Sequence, residues 1–143
     1  MRCNMTIDFV IPGEPPRATA QGKRMRIVNG KPMFYKSTEL KQAEELYYWH
    51  TRNALPHGWK PMEKPVRLFV AFSFGTDDKR KIGCWKTTRP DTDNMVKALK
   101  DALTRAEVWV DDSQVVDEHT TKTWWSRENA GIHVQIEELE ENV

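Results

Sequence analysis

The chain has 143 residues, with 22 Lys and Arg against 21 Asp and Glu, a formal net charge of +1 and 38% hydrophobic residues. That length is enough for one domain with its own core, so residues 1–143 are read as a single unit. No apolar run approaches a membrane span, no basic-then-apolar leader opens the chain, and two cysteines, Cys3 and Cys84, are too few for a disulfide scaffold. These features point to a protein of the reducing cytoplasm. The near-zero charge hides a segregation. Residues 1–36 carry seven bases against two acids, residues 77–100 seven against four, and residues 107–143 two against ten. Separated basic segments can still build one positive face.

In chain order, Ile7, Phe9 and Ile11 alternate with polar neighbours, which predicts a half-buried strand over 5–11. The run Pro12-Gly13-Glu14-Pro15-Pro16 stops it. Residues 17–26, with Arg17, Lys23, Arg24 and Arg26, read as a basic loop. Asn29-Gly30 then predicts a hairpin between Arg26-Ile27-Val28 and Met33-Phe34-Tyr35, because both turn positions favour positive φ. Ser37 or Thr38 can cap a helix reaching Leu55. Val66, Leu68, Val70, Phe72 and Phe74 predict a central strand. Residues 75–90 form a second basic loop with Lys79, Arg80, Lys81, Lys86 and Arg89. A helix over 93–106 carries an apolar stripe of Met95, Val96, Leu99, Ala102, Leu103 and Ala106, and a polar stripe of Asn94, Lys97 and Asp101. Short strands are expected at Val108–Val110, from Val115 through Thr123, and at Gly131–Ile136. The sum is an α/β chain of α+β type, a mixed sheet with two main helices packed on it.

The most informative residues are acidic. Asp91 and Asp93 stand at the entrance of the second helix, and Asp111-Asp112 follow Trp109-Val110. A lone Asp before an apolar-periodic run is more often a cap than a ligand, and Asp93 is the expected cap here. An Asx turn likewise accounts for Asp111-Asp112 taken alone. Only one residue can cap, however. Carboxylates brought together repel unless a cation joins them, and Mg2+ prefers carboxylate oxygen. The helix start adds free N–H groups that suit phosphate. Lys97, one turn in, is either a solvated lysine or a charge set against a phosphate. A helix of about fourteen residues is about 21 Å long. A tight return loop would therefore leave Asp112 at the wrong end of it. Either the following strand runs back along the helix, or a second subunit supplies part of the site.

Among the six tryptophans, Trp85 sits in a basic loop and is the one placed to stack on a base. Trp49, Trp124 and Trp125 read as packing or subunit contacts. His50, His57, His119 and His133 share no spacing that would make one of them a catalytic base.

The segments Arg89-Pro90-Asp91-Thr92-Asp93-Asn94, Lys97-Ala98-Leu99, Asp101-Ala102-Leu103 and Trp109-Val110-Asp111-Asp112-Ser113-Gln114-Val115-Val116 resemble the RusA family of Holliday-junction resolvases. The strand ending Ile11-Pro12-Gly13-Glu14-Pro15 and the entry Tyr35-Lys36-Ser37 are similar to it too. The resemblance implies a homodimeric endonuclease, often of phage or prophage, that cuts four-way DNA junctions in recombination and repair with Mg2+ or Mn2+. It makes Asp91, Asp93 and Asp112 the metal-binding catalytic acids and Lys97 the catalytic lysine. DNA affinity would come from Arg17, Lys23, Arg24, Lys79, Arg80, Lys81, Lys86 and Arg89. It implies no membrane partner and no organic cofactor. One departure is Ala18-Thr19-Ala20-Gln21-Gly22, where relatives carry more basic residues. Two rival readings remain at this point: a non-catalytic DNA-binding module of the same fold, and a metal-dependent phosphoesterase acting on other nucleic-acid substrates.

Overall fold

The computed structural model describes residues 4–19 and 24–143. The first strand, β1 (Thr6–Pro12), leads to a hairpin of β2 (Arg24–Val28) and β3 (Lys31–Tyr35). Helix α1 (Thr38–Ala54) follows, then β4 (Val66–Thr76), helix α2 (Thr92–Arg105), β5 (Val115–Ser126) and β6 (Gly131–Glu138). The main sheet runs β1-β6-β4-β5, and β2-β3 form a separate ribbon.

Local sequence explains most of these elements. Asn29 and Gly30 take φ of 52° and 76°, the paired positive values of a tight hairpin turn. The Ser37 side chain accepts a hydrogen bond from Leu40 N at 3.1 Å and caps α1. Within α1 the core positions are Leu40, Ala43, Tyr47 and Thr51. Thr51 is accommodated in the core because its hydroxyl donates to Tyr47 O at 2.7 Å and is thereby satisfied inside.

One face of the sheet is apolar and carries both helices. Val66, Leu68, Val70, Phe72 and Phe74 of β4 are fully buried there, with Ile132, Val134 and Ile136 of β6 and Ile7 and Ile11 of β1. The stripes of α1 and α2 complete the same cluster. The opposite face is mixed, with Val10, Phe69 and Ala71 among polar side chains. His133 and Gln135 bond Asp8 at 2.7 and 2.8 Å, and Arg67 bonds Asp117 at 2.7 Å. The hydrogen bonds from Gln135, then His133, hold the Asp8 carboxyl below its usual range.

Two expectations change. Val108–Val110 is not a strand; it contributes one bridge, Trp109 to Met62. Trp109 is a core residue, its indole N–H donating to Thr104 Oγ1 at 2.7 Å. Residues 17–26 are not all loop, since Arg24–Arg26 belong to β2.

The connection that decides function is β4-α2-β5. These two strands are parallel, with Val66 opposite Val115 and Thr76 opposite Ser126. A parallel pair needs a crossover, and α2 supplies it. The helix therefore runs against the strands. Its first turn lies at the finishing end of β4 and β5, and its last turn at their starting end.

Replacing Phe72 by Ala should cost about 3–5 kcal/mol of stability, because the buried ring leaves a cavity between sheet and helices. Urea unfolding followed by circular dichroism would measure it.

Candidate active site

At the start of α2, Asp91 is the residue before the first helical turn. Its backbone is extended (φ −75°, ψ 148°) and its side chain makes no cap hydrogen bond. Asp93, expected as the cap, lies inside the first turn instead. Both are exposed, and among the described residues neither carboxylate has a hydrogen-bond or ion-pair partner. The cap explanation thus fails for both side chains. Beside them is an open cavity of about 330 Å³ lined by Arg17, Thr19, Arg89, Pro90, Asp91 and Asn94. Two guanidinium-bearing residues, a carboxylate and a helix N-terminus share it, a combination able to seat a phosphate with a cation.

Arg17 is held in place from behind. Its guanidinium lies 3.8 Å from Glu14 and 5.3 Å above the Phe74 ring. Glu14 in turn accepts from Gly75 N at 2.8 Å. Glycine is required there, because a Cβ would stand 2.9 Å from Glu14 Oε2 and 3.1 Å from Arg127 Cα.

The loop entering the site is clamped by two lysines. Lys86 Nζ donates to Thr88 Oγ1, to Thr88 O at 3.2 Å and to Arg89 O at 2.7 Å. It also sits 4.6 Å from the Trp124 ring centroid and 5.0 Å from that of Phe74. Lys122 Nζ donates to Thr88 O at 2.8 Å and Pro90 O at 2.9 Å. Lys86 is only 3% exposed, so it does not belong with the DNA-facing cations; its ammonium is spent on backbone carbonyls. Desolvation, followed by repulsion from Arg17 and Lys122, lowers its pKa. The expectation failed because a lysine in a basic loop looks solvated until the fold turns it inward. Lys122 and Thr19 were missed for the opposite reason. Nothing in their local sequence marks them, and only the approach of β5 and of the loop after β1 brings them here.

Asp111 and Asp112 occupy the other end of the helix. Asp111 accepts from Ser113 N at 3.2 Å and opens a single 3-10 turn, Asp112–Gln114, before β5. The Asx-turn reading is therefore right for Asp111 and not for Asp112. Gln114 fixes this turn. Its Oε1 accepts from Val110 N and Asp111 N at 3.0 and 2.9 Å, and its Nε2 donates to Met62 O and Lys64 O at 2.8 and 2.9 Å. Asp112 is half-buried, and burial, then a hydrogen bond and repulsion from Asp111, raise its pKa; Lys100 and Asp101 of α2 act on it as well. Hydrogen bonds, first from the Ser113 backbone, hold Asp111 low.

Asp101 lies eight residues beyond Asp93, about 12 Å along the helix. Asp112 precedes Val115, which pairs with Val66 at the starting end of β4, whereas Asp91 and Asp93 open α2 beyond Thr76 at the finishing end, so Asp112 is far from them within one protomer. Among the described residues no three His, Cys, Asp or Glu side chains converge where a metal ion could sit. The single anionic cup expected from the sequence is not formed by one chain, because the parallel crossover sends the two acidic segments to opposite ends of α2. The fit to a metal is nonetheless real at the helix start. Mg2+ is commonly held by one or two carboxylates, with water and substrate phosphate completing its shell. The free carboxylates of Asp91 and Asp93 meet that requirement.

Lys97 is exposed on the helix face between the two acidic segments, with no ion pair among the described residues. Of the remaining expected DNA contacts, Arg24, Lys79, Arg80, Lys81 and Arg89 are exposed, and Lys23 lies outside the described residues. Arg80 is tied to Asp78 at 3.1 Å, and Lys81 lies 5.4 Å from the Trp124 ring centroid. Trp85 is 70% exposed beside them.

An α+β domain with free carboxylates and guanidinium groups around a helix N-terminus is the architecture of a phosphate-cutting enzyme. The chain belongs to the RusA family of endodeoxyribonucleases: residues 12–137 match the family model described as Endodeoxyribonuclease RusA. It is 29% identical over 137 residues to the crossover junction endodeoxyribonuclease rusA of Lactococcus phage r1t, covering 94% of this chain and 100% of that one. It is 35% identical over 143 residues to the uncharacterized protein YqaN of Bacillus subtilis (strain 168), covering 93% and 96% respectively. Among the described residues no helix is long and apolar enough to cross a membrane.

Lys86→Met should leave Arg89 O short of a donor, while Thr88 O keeps Lys122, and cost about 1–3 kcal/mol. DNA cutting should fall far more than DNA binding, since the loop carrying Asp91 loosens while the surface cations stay. Nicking rates and gel-shift affinities measured side by side check this. Gln114→Ala removes four hydrogen bonds to backbone, two of them to the part-buried carbonyls of Met62 and Lys64, and should lower the urea midpoint and the cutting rate together.

Proposed function

We propose that this endodeoxyribonuclease resolves four-way DNA junctions in recombination and repair, as a Mg2+- or Mn2+-dependent homodimer acting in the cytoplasm of a phage- or prophage-bearing host. The observation that carries the reading is the pair of uncapped carboxylates, Asp91 and Asp93, at a helix N-terminus lined by Arg17 and Arg89. Family membership over residues 12–137 supports the class of reaction.

Asp91 and Asp93 would hold the ion. When bound, it supplies a water of lowered pKa and positive charge at the phosphoryl oxygens. The chain's own residues do the rest. Arg17 and Arg89 orient the scissile phosphate, bidentate recognition being the strength of guanidinium. The N–H groups of the first turn of α2 face the phosphoryl oxygens. Lys97, one turn on, sets its ammonium against charge that develops during cutting. Lys79, Arg80 and Lys81 supply non-specific affinity for flanking phosphates.

The dimer accounts for Asp112. Strand β5 is a sheet edge. The loop residues Gly83–Lys86 shield it at Lys122–Trp124, through Gly83 N to Trp124 O at 2.8 Å and Lys86 N to Lys122 O at 3.0 Å, leaving its first half open. A second copy pairing antiparallel along that open half would reverse its ends. Asp112 of the partner subunit would then approach the helix start that holds Asp91 and Asp93. Two such sites related by a two-fold suit a junction with two equivalent strands to cut.

A labelled four-way junction incubated with the protein and Mg2+ should be nicked in symmetric strands, and Asp91→Asn should reduce the rate by at least about 10³-fold with binding retained. Absence of nicking with both Mg2+ and Mn2+ would reject the activity. A mixing experiment tests the shared site. Asp91→Asn and Asp112→Asn homodimers should each be inactive. Their mixed dimer should regain one working site and nick single strands, whereas a mixture that stays dead places all three acids in one chain.

A further inference from the structure

The hairpin of β2 and β3 has no role in the site above. All ten of its strand residues are exposed. It pairs with itself and stands off the sheet and helices, although an isolated two-stranded ribbon is marginal in water.

Its register separates two faces. Met25 pairs with Phe34 and Ile27 with Pro32, so one face is wholly apolar. Arg24 pairs with Tyr35, Arg26 with Met33 and Val28 with Lys31, so the other face is basic. Arg26 lies 5.2 Å from the Tyr35 ring centroid. Ile27 and Phe34 are 72% and 71% exposed, among the most open large apolar side chains described. From Arg24 to Lys36 there are four cations and no acid. Lys36 is engaged by Glu44 at 2.8 Å, which leaves Arg24, Arg26 and Lys31 for a partner.

Charge selects the partner. A second hairpin packed on the apolar face would leave these cations on the outer faces with no counter-charge. A polyanion is attracted by the same three residues. DNA also has an apolar interior, reachable where stacking is already interrupted, and Phe, Ile, Met and Pro are the side chains that wedge between base steps. Five-residue strands give a ribbon about 16 Å long, against a major-groove depth of about 8.5 Å.

We propose that the β2–β3 hairpin is a DNA wedge: Phe34 and Ile27 insert between bases at the branch point while Arg24, Arg26 and Lys31 grip the adjoining phosphates. This rests on the junction substrate proposed above and names how the branch is recognised.

The test uses the full-length protein in chelator, so that binding proceeds without cutting, on a four-way junction with 2-aminopurine at the branch. Wild type should raise the fluorescence several-fold by unstacking the base. Phe34→Ala and Ile27→Ser should remove most of that rise, and Phe34→Trp should keep it. Arg26→Ala should reduce the salt dependence of binding by about one counterion. An undiminished rise in Phe34→Ala would overturn the proposal. So would a wild type that binds without unstacking or does not bind at all, or a Phe34→Ala protein that sediments as monomer where wild type is a dimer, since that marks a protein interface. The two readings fail separately. Metal-dependent nicking lost in Asp91→Asn but no fluorescence change removes the wedge alone; unstacking by Phe34 with no nicking removes the nuclease reading alone.

Discussion

The parallel pairing of β4 with β5 is the constraint from which the rest of this molecule follows. Parallel strands cannot be joined by a tight turn, so α2 must run the length of the sheet in the opposite sense. Its apolar stripe buries against β4, and its polar stripe stays outside. Each acidic segment flanks one end of that helix. The crossover that builds the core thereby also holds Asp91 and Asp93 apart from Asp112. A helix buried on one face cannot bend to reunite them without exposing the core.

The basic loop before α2 shows how burial redistributes charge. Lys86 and Lys122 give their donors to the carbonyls of Thr88, Arg89 and Pro90, and so define the path of the chain into the site. Buried cations are tolerated only with such partners and a favourable ring face. Arg17 is likewise oriented by Glu14 and Phe74. Gly75 permits this by leaving room for Glu14. A scaffold of paired cations behind the cavity leaves Arg89 exposed in its lining.

At the starting end of the sheet, Gln114 plays the corresponding part. One side-chain amide satisfies four backbone groups and fixes the turn that carries Asp112. Both ends of α2 thus use polar side chains as internal frames. The two sets of carboxylates differ in consequence. Asp91 and Asp93 stand free at a positive helix end. Asp112 sits half-buried among Asp111, Asp101 and Lys100, where burial and like charge disfavour its ionisation.

Much was legible in the sequence because it is written in short-range patterns. Alternation gave β1, β4 and β6, the helical stripes gave α1 and α2, and Asn29-Gly30 gave the hairpin turn. These depend on neighbours within a turn or a strand, which the order of residues records directly. Local order could not say that Lys86 turns inward, that Val108–Val110 gives one bridge in place of a strand, that Asp91 and not Asp93 stands at the cap, or that Lys122 reaches the loop before α2. Each of those depends on which segments meet across dozens of residues. The separation of Asp112 from Asp91 and Asp93 is of the same kind. Sequence fixes the length of α2 and the residues at its ends, while the direction of the strand that follows, set by burying the sheet's apolar face against both helices, decides which ends share a site.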